Sequence, residues 1–400
     1  MTENTRVVVI GGGYSGVMAA NRLTQRTDVA VTLINPRPDF VERIRLHQLV
    51  GGSNDAVVEF GEVLAAGIHL VVDSVTRIEA SDRSVTLATG GTLAYDYLIY
   101  AVGSASADRG VPGAAEFAYP IASWEQAERL RGAIDVASAT AALTVVGAGP
   151  TGIETASELA ELGHPVTLVC GAVLGPYLHP RGRGSVAKRL ARLGVTVLEG
   201  PGSTVTGVRR DAVELSDGRE LSSAITIWTA GFGVPELAVR SGLTTDALGR
   251  LLTDETLTSI DDVRIVAAGD SAAPSELPFR MSCQAAGPLG AHAADTVLAR
   301  ITGAQAAPIE LGFAGECISL GRGAGIFQFA HRNDAATKVY LGGRPAARLK
   351  ELVCRSTVNQ LTREARKPGY LSWGWSKDAK RQLLLQSKSN GAPTAAERVA

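Results

Sequence analysis

Apolar runs along the chain fall into two copies of one pattern. Arg6–Ile10 is followed by a glycine cluster, then by apolar residues at helical spacing over Tyr14–Arg26, then by a second run, Val29–Ile34. Unbroken apolar runs of this length mark strands buried on both faces, and the order predicts strand, tight turn, helix, strand. The same order returns with Leu143–Val146, a helix over Ile153–Leu162 and the run Val166–Val169, extended by strands near Val195–Leu198 and Ile225–Trp228. Between the two units, Phe40–Val50 reads as a helix. Ile68–Val72 and Ser84–Ala88 alternate as strands before a turn at Gly90-Gly91, and Tyr97–Val102 is a buried strand entering a loop at Gly103. Ser104–Ala115, rich in small residues and holding Pro112, reads as a crossing between domains, with a helix over Ser123–Ala137 beyond it. Further on, Asp254–Thr258 and Val263–Ala268 have strand character and Ala285–Ile301 is a long helix. After Pro308 come the strands Ile318–Leu320 and Gly325–Phe329 and a helix over Arg348–Arg366; Ser387–Ala400 reads as a disordered tail.

Length and composition narrow the class. A chain of 400 residues, 45% hydrophobic and 20% charged, is expected to form two or three domains of a soluble globular enzyme. A formal net charge of −1 gives no reason to expect a nucleic-acid partner. No run approaches the roughly 18 apolar residues of a membrane span, and a strand opening at Arg6 leaves no room for a signal peptide, so a cytoplasmic protein is expected. The four cysteines, Cys170, Cys283, Cys317 and Cys354, form neither a CxxC nor a metal-ligand spacing, and no metal site is expected.

The chemistry sits in the glycine turns. Gly11-Gly12-Gly13-Tyr14-Ser15-Gly16 and Gly147-Ala148-Gly149-Pro150-Thr151-Gly152 each follow a strand and open a helix. In such a turn the first glycine makes the bend, the second lets backbone approach a pyrophosphate, and the third lets helix and strand pack closely. The helix N-terminus adds free N–H groups and partial positive charge. Two such turns predict two dinucleotide sites, which is the arrangement needed to pass electrons between dinucleotides. The acid that ordinarily meets the ribose about 20 residues later is replaced after the first turn by Asn35, an uncharged ribose contact. After the second turn the strand ends at Cys170-Gly171; Arg181 and Arg183 follow, and read equally as contacts to a 2′-phosphate or as solvated loop residues. Asp270, at the end of Ala267-Ala268-Gly269-Asp270, reads as a ligand-binding residue or as an N-cap.

Taken in order, five motifs resemble the FAD- and NAD(P)H-dependent flavoproteins with two dinucleotide domains, in particular type II NADH:quinone oxidoreductases and apoptosis-inducing-factor-like reductases. They are Val9–Gly16, Tyr97–Gly103, Gly147–Glu154, Thr226–Gly231 and Ala267–Asp270. The resemblance runs from Arg6 to about Gly303. It implies an α/β fold of two Rossmann-like FAD- and NAD(P)-binding domains plus a small α+β C-terminal domain. Residues 1–114 and 255–307 would form a discontinuous FAD domain, 115–254 the NAD(P)H domain, 308–386 the C-terminal domain and 387–400 a tail. By the same resemblance Gly11, Gly13 and Gly16 hold the FAD pyrophosphate, with Tyr14 and Ser15 donating backbone N–H groups. Asn35 sits at the adenosine ribose, Val75 meets the adenine, and Ala101 and Gly103 run beneath the flavin. Gly269 and Asp270 take the ribityl chain. Gly147, Gly149 and Gly152 hold NAD(P)H, with Glu154 near the nicotinamide and Gln284 facing the isoalloxazine.

The acceptor is narrowed by absences. Disulfide reductases of this superfamily carry a cysteine pair beside the flavin; the matching stretch here, about Phe40–Val50, has none, so no thiolate is available there. A quinone or quinone-like small molecule is the expected acceptor; the alternatives are a protein electron carrier or a specialised metabolite, or a non-turnover flavoprotein that senses NAD(P)H. At the quinone site of type II reductases an Ala-Gln-x-Ala-x-Gln stretch recurs; Gln284 keeps its first amide and Pro288 replaces the second. Between Arg355 and Lys388 eight Lys/Arg stand against two acids, with Tyr370, Trp373 and Trp375 among them. This reads either as peripheral contact with the inner face of a membrane or as a basic helix folded on the body. His47 lies in the stretch expected near the flavin, and reads as a packed or solvated histidine. A homo-oligomer is left open.

Overall fold

Strands drawn from both ends of the first 300 residues share one sheet in the computed structural model, which describes residues 4–373 and 379–389. Its order is Ile265–Ala267, Tyr97–Tyr100, Thr5–Ile10, Val29–Asn35, His69–Val72, all parallel. A second parallel sheet lies wholly within the intervening chain: Ala118–Pro120, Ile225–Trp228, Leu143–Val146, Val166–Gly171, Thr196–Glu199. Covering on both faces explains why the central strands are unbroken apolar runs: Val7 and Val9 in one sheet and Val145 and Ile227 in the other are fully buried. Each sheet is joined to a three-stranded antiparallel meander, Val75–Glu79/Ser84–Leu87/Thr92–Ala94 and Val205–Val208/Ala212–Leu215/Glu220–Ser222.

The remaining unit is an antiparallel sheet, Gly315–Ser319, Gly325–Ala330 and Ala336–Gly342, covered by the helix Gly343–Arg366. The long helix Cys283–Ile301 packs on Tyr14–Leu23. Their approach needs Gly290, since a Cβ there would fall 2.2 Å from the carbonyl oxygen of Ser15.

Four expectations are corrected. Phe40–Val50 is not one helix: Asp39–Val41 pairs with Val57–Glu59, and only then do a 3-10 turn, Arg43–Arg45, and the short helix Leu46–Val50 follow. Asp254–Thr258 is a turn, because the Asp254 carboxylate accepts the N–H groups of Thr256 and Thr258 and curls the chain. The strand Ala336–Gly342 is absent from the sequence reading; its half-exposed residues carry no clean alternation. The helix Ala379–Ser389 runs into the segment read as a disordered tail, of which residues 390–400 lie outside the described part.

Candidate functional site

Both glycine turns build the same cradle. In the first, Gly11 has φ +103° and a Cβ there would lie 2.3 Å from the carbonyl oxygen of Ala101; at Gly16 a Cβ would lie 1.7 Å from the carbonyl oxygen of Gly11. At Gly13 nothing lies within 4 Å of the Cβ position. The second repeats this: Gly147 has φ +116° and its Cβ would meet Thr229 Oγ1 at 2.6 Å, Gly152's would meet the Gly147 carbonyl at 1.9 Å, and Gly149 faces open space. The outer glycines are thus demanded by packing, whereas the middle ones border open space. Neither helix has a side-chain cap or an acid in its first turn, so the opening N–H groups face that space without negative charge. Two phosphate-bearing ligands fit these cradles.

The predicted residues of the first cradle gather along the carboxyl edge of its sheet. Asn35 Oδ1 accepts the Gly12 N–H at 2.9 Å and its Nδ2 donates to the Arg37 carbonyl at 2.8 Å, so the amide braces the glycine loop while adding no charge. The Asp73 N–H donates to the Asn35 carbonyl, which brings the start of the Val75 strand alongside. Tyr14 is buried, its ring edge-on to Phe40, and the Ser15 hydroxyl donates to the Ala286 carbonyl. Gly269 lets the chain pass Ser15, since a Cβ would lie 2.3 Å from its Oγ. Asp270 accepts the Ser104 hydroxyl at 2.7 Å, just past Gly103, and Arg43 Nη1 stands 4.0 Å from the same carboxylate.

The two residues expected at the rings both meet the C-terminal unit. Gln284 faces the C-terminal unit: with its amide oriented to satisfy both partners, the nitrogen donates to the Gly315 carbonyl and the oxygen accepts the Ala314 N–H at 2.9 Å. Glu154 points into a buried junction of all three units. Its Oε1 lies 2.8 Å from Lys350 Nζ and accepts the Ser319 N–H at 2.9 Å, and its Oε2 lies 3.6 Å from His47 Nδ1. Lys350 also donates to the Cys317 carbonyl at 3.2 Å. Burial opposes charge on both partners, yet each outweighs it for the other: the Glu154 pKa lies below and the Lys350 pKa above the ordinary range. Burial instead keeps His47 neutral, with its pKa down at about 4 despite Glu154. Its Nε2 faces Arg322 Nη2 at 3.4 Å, which assigns the ring proton to Nδ1, toward Glu154.

Lys350, Arg322, Ser319 and Arg43 were missed by sequence reasoning. For Lys350 one signal existed: it stands at i+4 from Ala346 and i−4 from Cys354, both fully buried, so a lysine occupies the apolar face of its helix. The thiols near it are unreactive in character; burial pushes Cys317 up to about 12 and Cys354 to about 11. Of the basic aromatic stretch, Trp373 packs toward Gly287. Arg381 binds the Glu255 carboxylate at 2.8 Å and Lys388 the Ser275 carbonyl at 3.1 Å, so these two cations are engaged with the body of the protein; Trp375 lies outside the described residues. Among the described residues no helix is long and apolar enough to cross a membrane.

Comparison with known proteins agrees with this architecture. The family model for pyridine nucleotide-disulphide oxidoreductases matches residues 5–304. An NADH dehydrogenase-like protein of Mycobacterium tuberculosis is 33% identical over 324 residues, covering 74% of this chain and 80% of that protein. A type II NADH:quinone oxidoreductase of the same organism is 30% identical over 357 residues, 76% of this chain and 74% of that protein. Among solved structures, NDH2 from Plasmodium falciparum in complex with NADH superposes with TM-score 0.75 at 17% identity, covering 92% of this chain and 99% of that one. The sulfide:quinone oxidoreductase of Aquifex aeolicus gives TM-score 0.76 at 20% identity, covering 92% and 93%.

Proposed function

The chain belongs to the pyridine nucleotide-disulphide oxidoreductase family, and we propose that it oxidises NAD(P)H through bound FAD and reduces a quinone-type small molecule without a redox disulfide. The observation that carries this reading is the doubled cradle: in both glycine turns the outer positions are closed to a side chain and the middle one is open, at a helix start free of acids. The names of the relatives support an NADH-oxidising activity with quinone as acceptor. In this reading residues 1–114 and 255–307 hold FAD, 115–254 hold NAD(P)H, and 308–386 cover the junction between them.

When bound, FAD would supply the two-electron redox chemistry. Gly11, Gly13, Gly16 and the N–H groups of Tyr14 and Ser15 would hold its pyrophosphate, Asn35 and Val75 its adenosine, Ala101 and Gly103 its ring, and Gly269 and Asp270 its ribityl chain. Gly147, Gly149 and Gly152 bind the second pyrophosphate and orient the nicotinamide. Reduction of a quinone to a quinol by NAD(P)H consumes one proton beyond the transferred hydride. That proton would come from solvent: Lys350, held protonated by Glu154, is too weak an acid to give it, and the pair instead ties the C-terminal unit to the junction, where Gln284 fixes the cover. A protein electron carrier or a specialised metabolite is the second reading of the acceptor. Pro288 favours it, being buried within the helix Cys283–Ile301 and offering neither an amide nor an N–H.

The test is an anaerobic titration of the flavin-loaded protein with NADH and with NADPH, followed by mixing with a short-chain quinone. Bleaching of the flavin and its reoxidation by the quinone are expected. A bound flavin that neither nucleotide reduces would overturn the proposal, and reoxidation by no quinone would move the acceptor to the second reading.

A further inference from the structure

The strand Val166–Gly171 ends without the carboxylate that a dinucleotide-binding unit ordinarily offers to the ribose hydroxyls. The neighbouring strand supplies one. Parallel pairing, with a bulge after Val169, sets Glu199 beside Gly171. The next residue secures the position: the Gly200 N–H donates to the carbonyls of Gly171 at 2.9 Å and Ala172 at 3.1 Å. The Glu199 carboxylate accepts the Leu174 N–H through Oε2 at 2.7 Å. One residue further, the Gly175 N–H bonds the Ala148 carbonyl at 3.0 Å, inside the second glycine turn. The carboxylate is therefore fastened to the loop that leans on the cradle, on an exposed residue, with Oε1 directed to no hydrogen bond among the described residues.

The two arginines that would favour a 2′-phosphate stand in the first turn of the helix Pro180–Arg192. Arg183 Nη2 donates to the Leu178 carbonyl at 3.3 Å, in the loop that precedes this helix. Arg181 is exposed, and its backbone N–H is spent on His179 Nδ1.

We infer that Glu199 selects the nucleotide at the second cradle, accepting the ribose hydroxyls of NADH and repelling the 2′-phosphate of NADPH. The inference rests on the reading of Gly147–Gly152 as the NAD(P)H site. A carboxylate accepts from both hydroxyls of an unphosphorylated ribose, whereas a 2′-phosphate removes one donor and brings a like charge against it. The residue is borrowed from the adjacent strand, which is why the end of Val166–Gly171 can be a glycine with φ +68°.

The test measures dissociation constants of NADH and NADPH from the rate of flavin reduction in the anaerobic holoprotein, for the wild type, Glu199→Gln and Glu199→Asp. The amide of Glu199→Gln retains an acceptor for the Leu174 N–H, so the change isolates charge. Wild type is expected to bind NADH at least about tenfold more tightly than NADPH, the scale of one charge-assisted hydrogen bond. Glu199→Gln should weaken NADH about tenfold and tighten NADPH, bringing the ratio toward one, while Glu199→Asp retains a preference for NADH. Lower ionic strength should widen the wild-type ratio. A wild type that prefers NADPH, or a ratio unmoved by Glu199→Gln, overturns the inference while leaving the NAD(P)H site intact. Reduction by neither nucleotide overturns the site and the inference together.

Discussion

The ammonium of Lys350 lies 2.8 Å from the carboxylate of Glu154, joining the C-terminal helix to the first turns of the helix that opens the second cradle. Glu154 is 6% exposed, so removing Lys350 leaves a buried charge uncompensated. Lys350→Met should cost about 3–5 kcal/mol of stability, and the double variant with Glu154→Gln should recover much of it. Thermal unfolding of the Lys350→Met and Glu154→Gln single variants and of the double variant checks the coupling.

His47 makes stability depend on acid in a defined window. Its folded pKa of about 4 lies below the ordinary value of 6.5, so between those values the unfolded chain binds more protons than the folded one. Stability is then complete above pH 6.5 and falls as pH drops toward 4, by about 3 kcal/mol in total. Denaturant unfolding between pH 7 and pH 4.5 should show this slope in the wild type and a shallower one in His47→Gln. Equal slopes would remove His47 from the account.

The glycines of each turn separate by role. Gly16→Ala sets a methyl 1.7 Å from the Gly11 carbonyl oxygen and should prevent folding or cost several kcal/mol, since backbone cannot yield as a side-chain end would. Gly13→Ala meets nothing, has an ordinary φ of −81°, and should fold normally yet take up less FAD. Gly149→Ala should retain FAD and bind NAD(P)H more weakly. Circular dichroism, flavin content and nucleotide titration distinguish the three; a Gly13→Ala protein with full flavin would count against the first cradle.

The thiols should be silent. Cys170 and Cys317 are held at about 12, chiefly by burial, so little thiolate exists at neutral pH. Iodoacetamide at pH 7.5 is expected to leave NADH oxidation unchanged, and Cys283→Ala to retain flavin reduction and turnover. Loss of turnover on alkylation under conditions that preserve the fold would point to a thiol in the electron path.

Local pattern sufficed for much of this molecule. The two strand–turn–helix–strand units were legible because strand burial, helical spacing and glycine geometry act within about 30 residues; the elements Thr5–Ile10, Tyr14–Leu23, Leu143–Val146 and Pro150–Glu161 follow closely from them. Asp270 and Gly103 were placed by motif order. The tertiary structure alone decided which distant residues meet. Nothing near Glu154 announces Lys350, and nothing in Cys170-Gly171 announces Glu199, because register between parallel strands and docking between units depend on surfaces assembled after each local element has formed. The stretch 39–50 shows the same limit: its strand exists only because Val57–Glu59 lies beside it. Periodicity specifies what each segment becomes; the charge pairs of the junction arise where the faces of separate segments close on one another and water is removed.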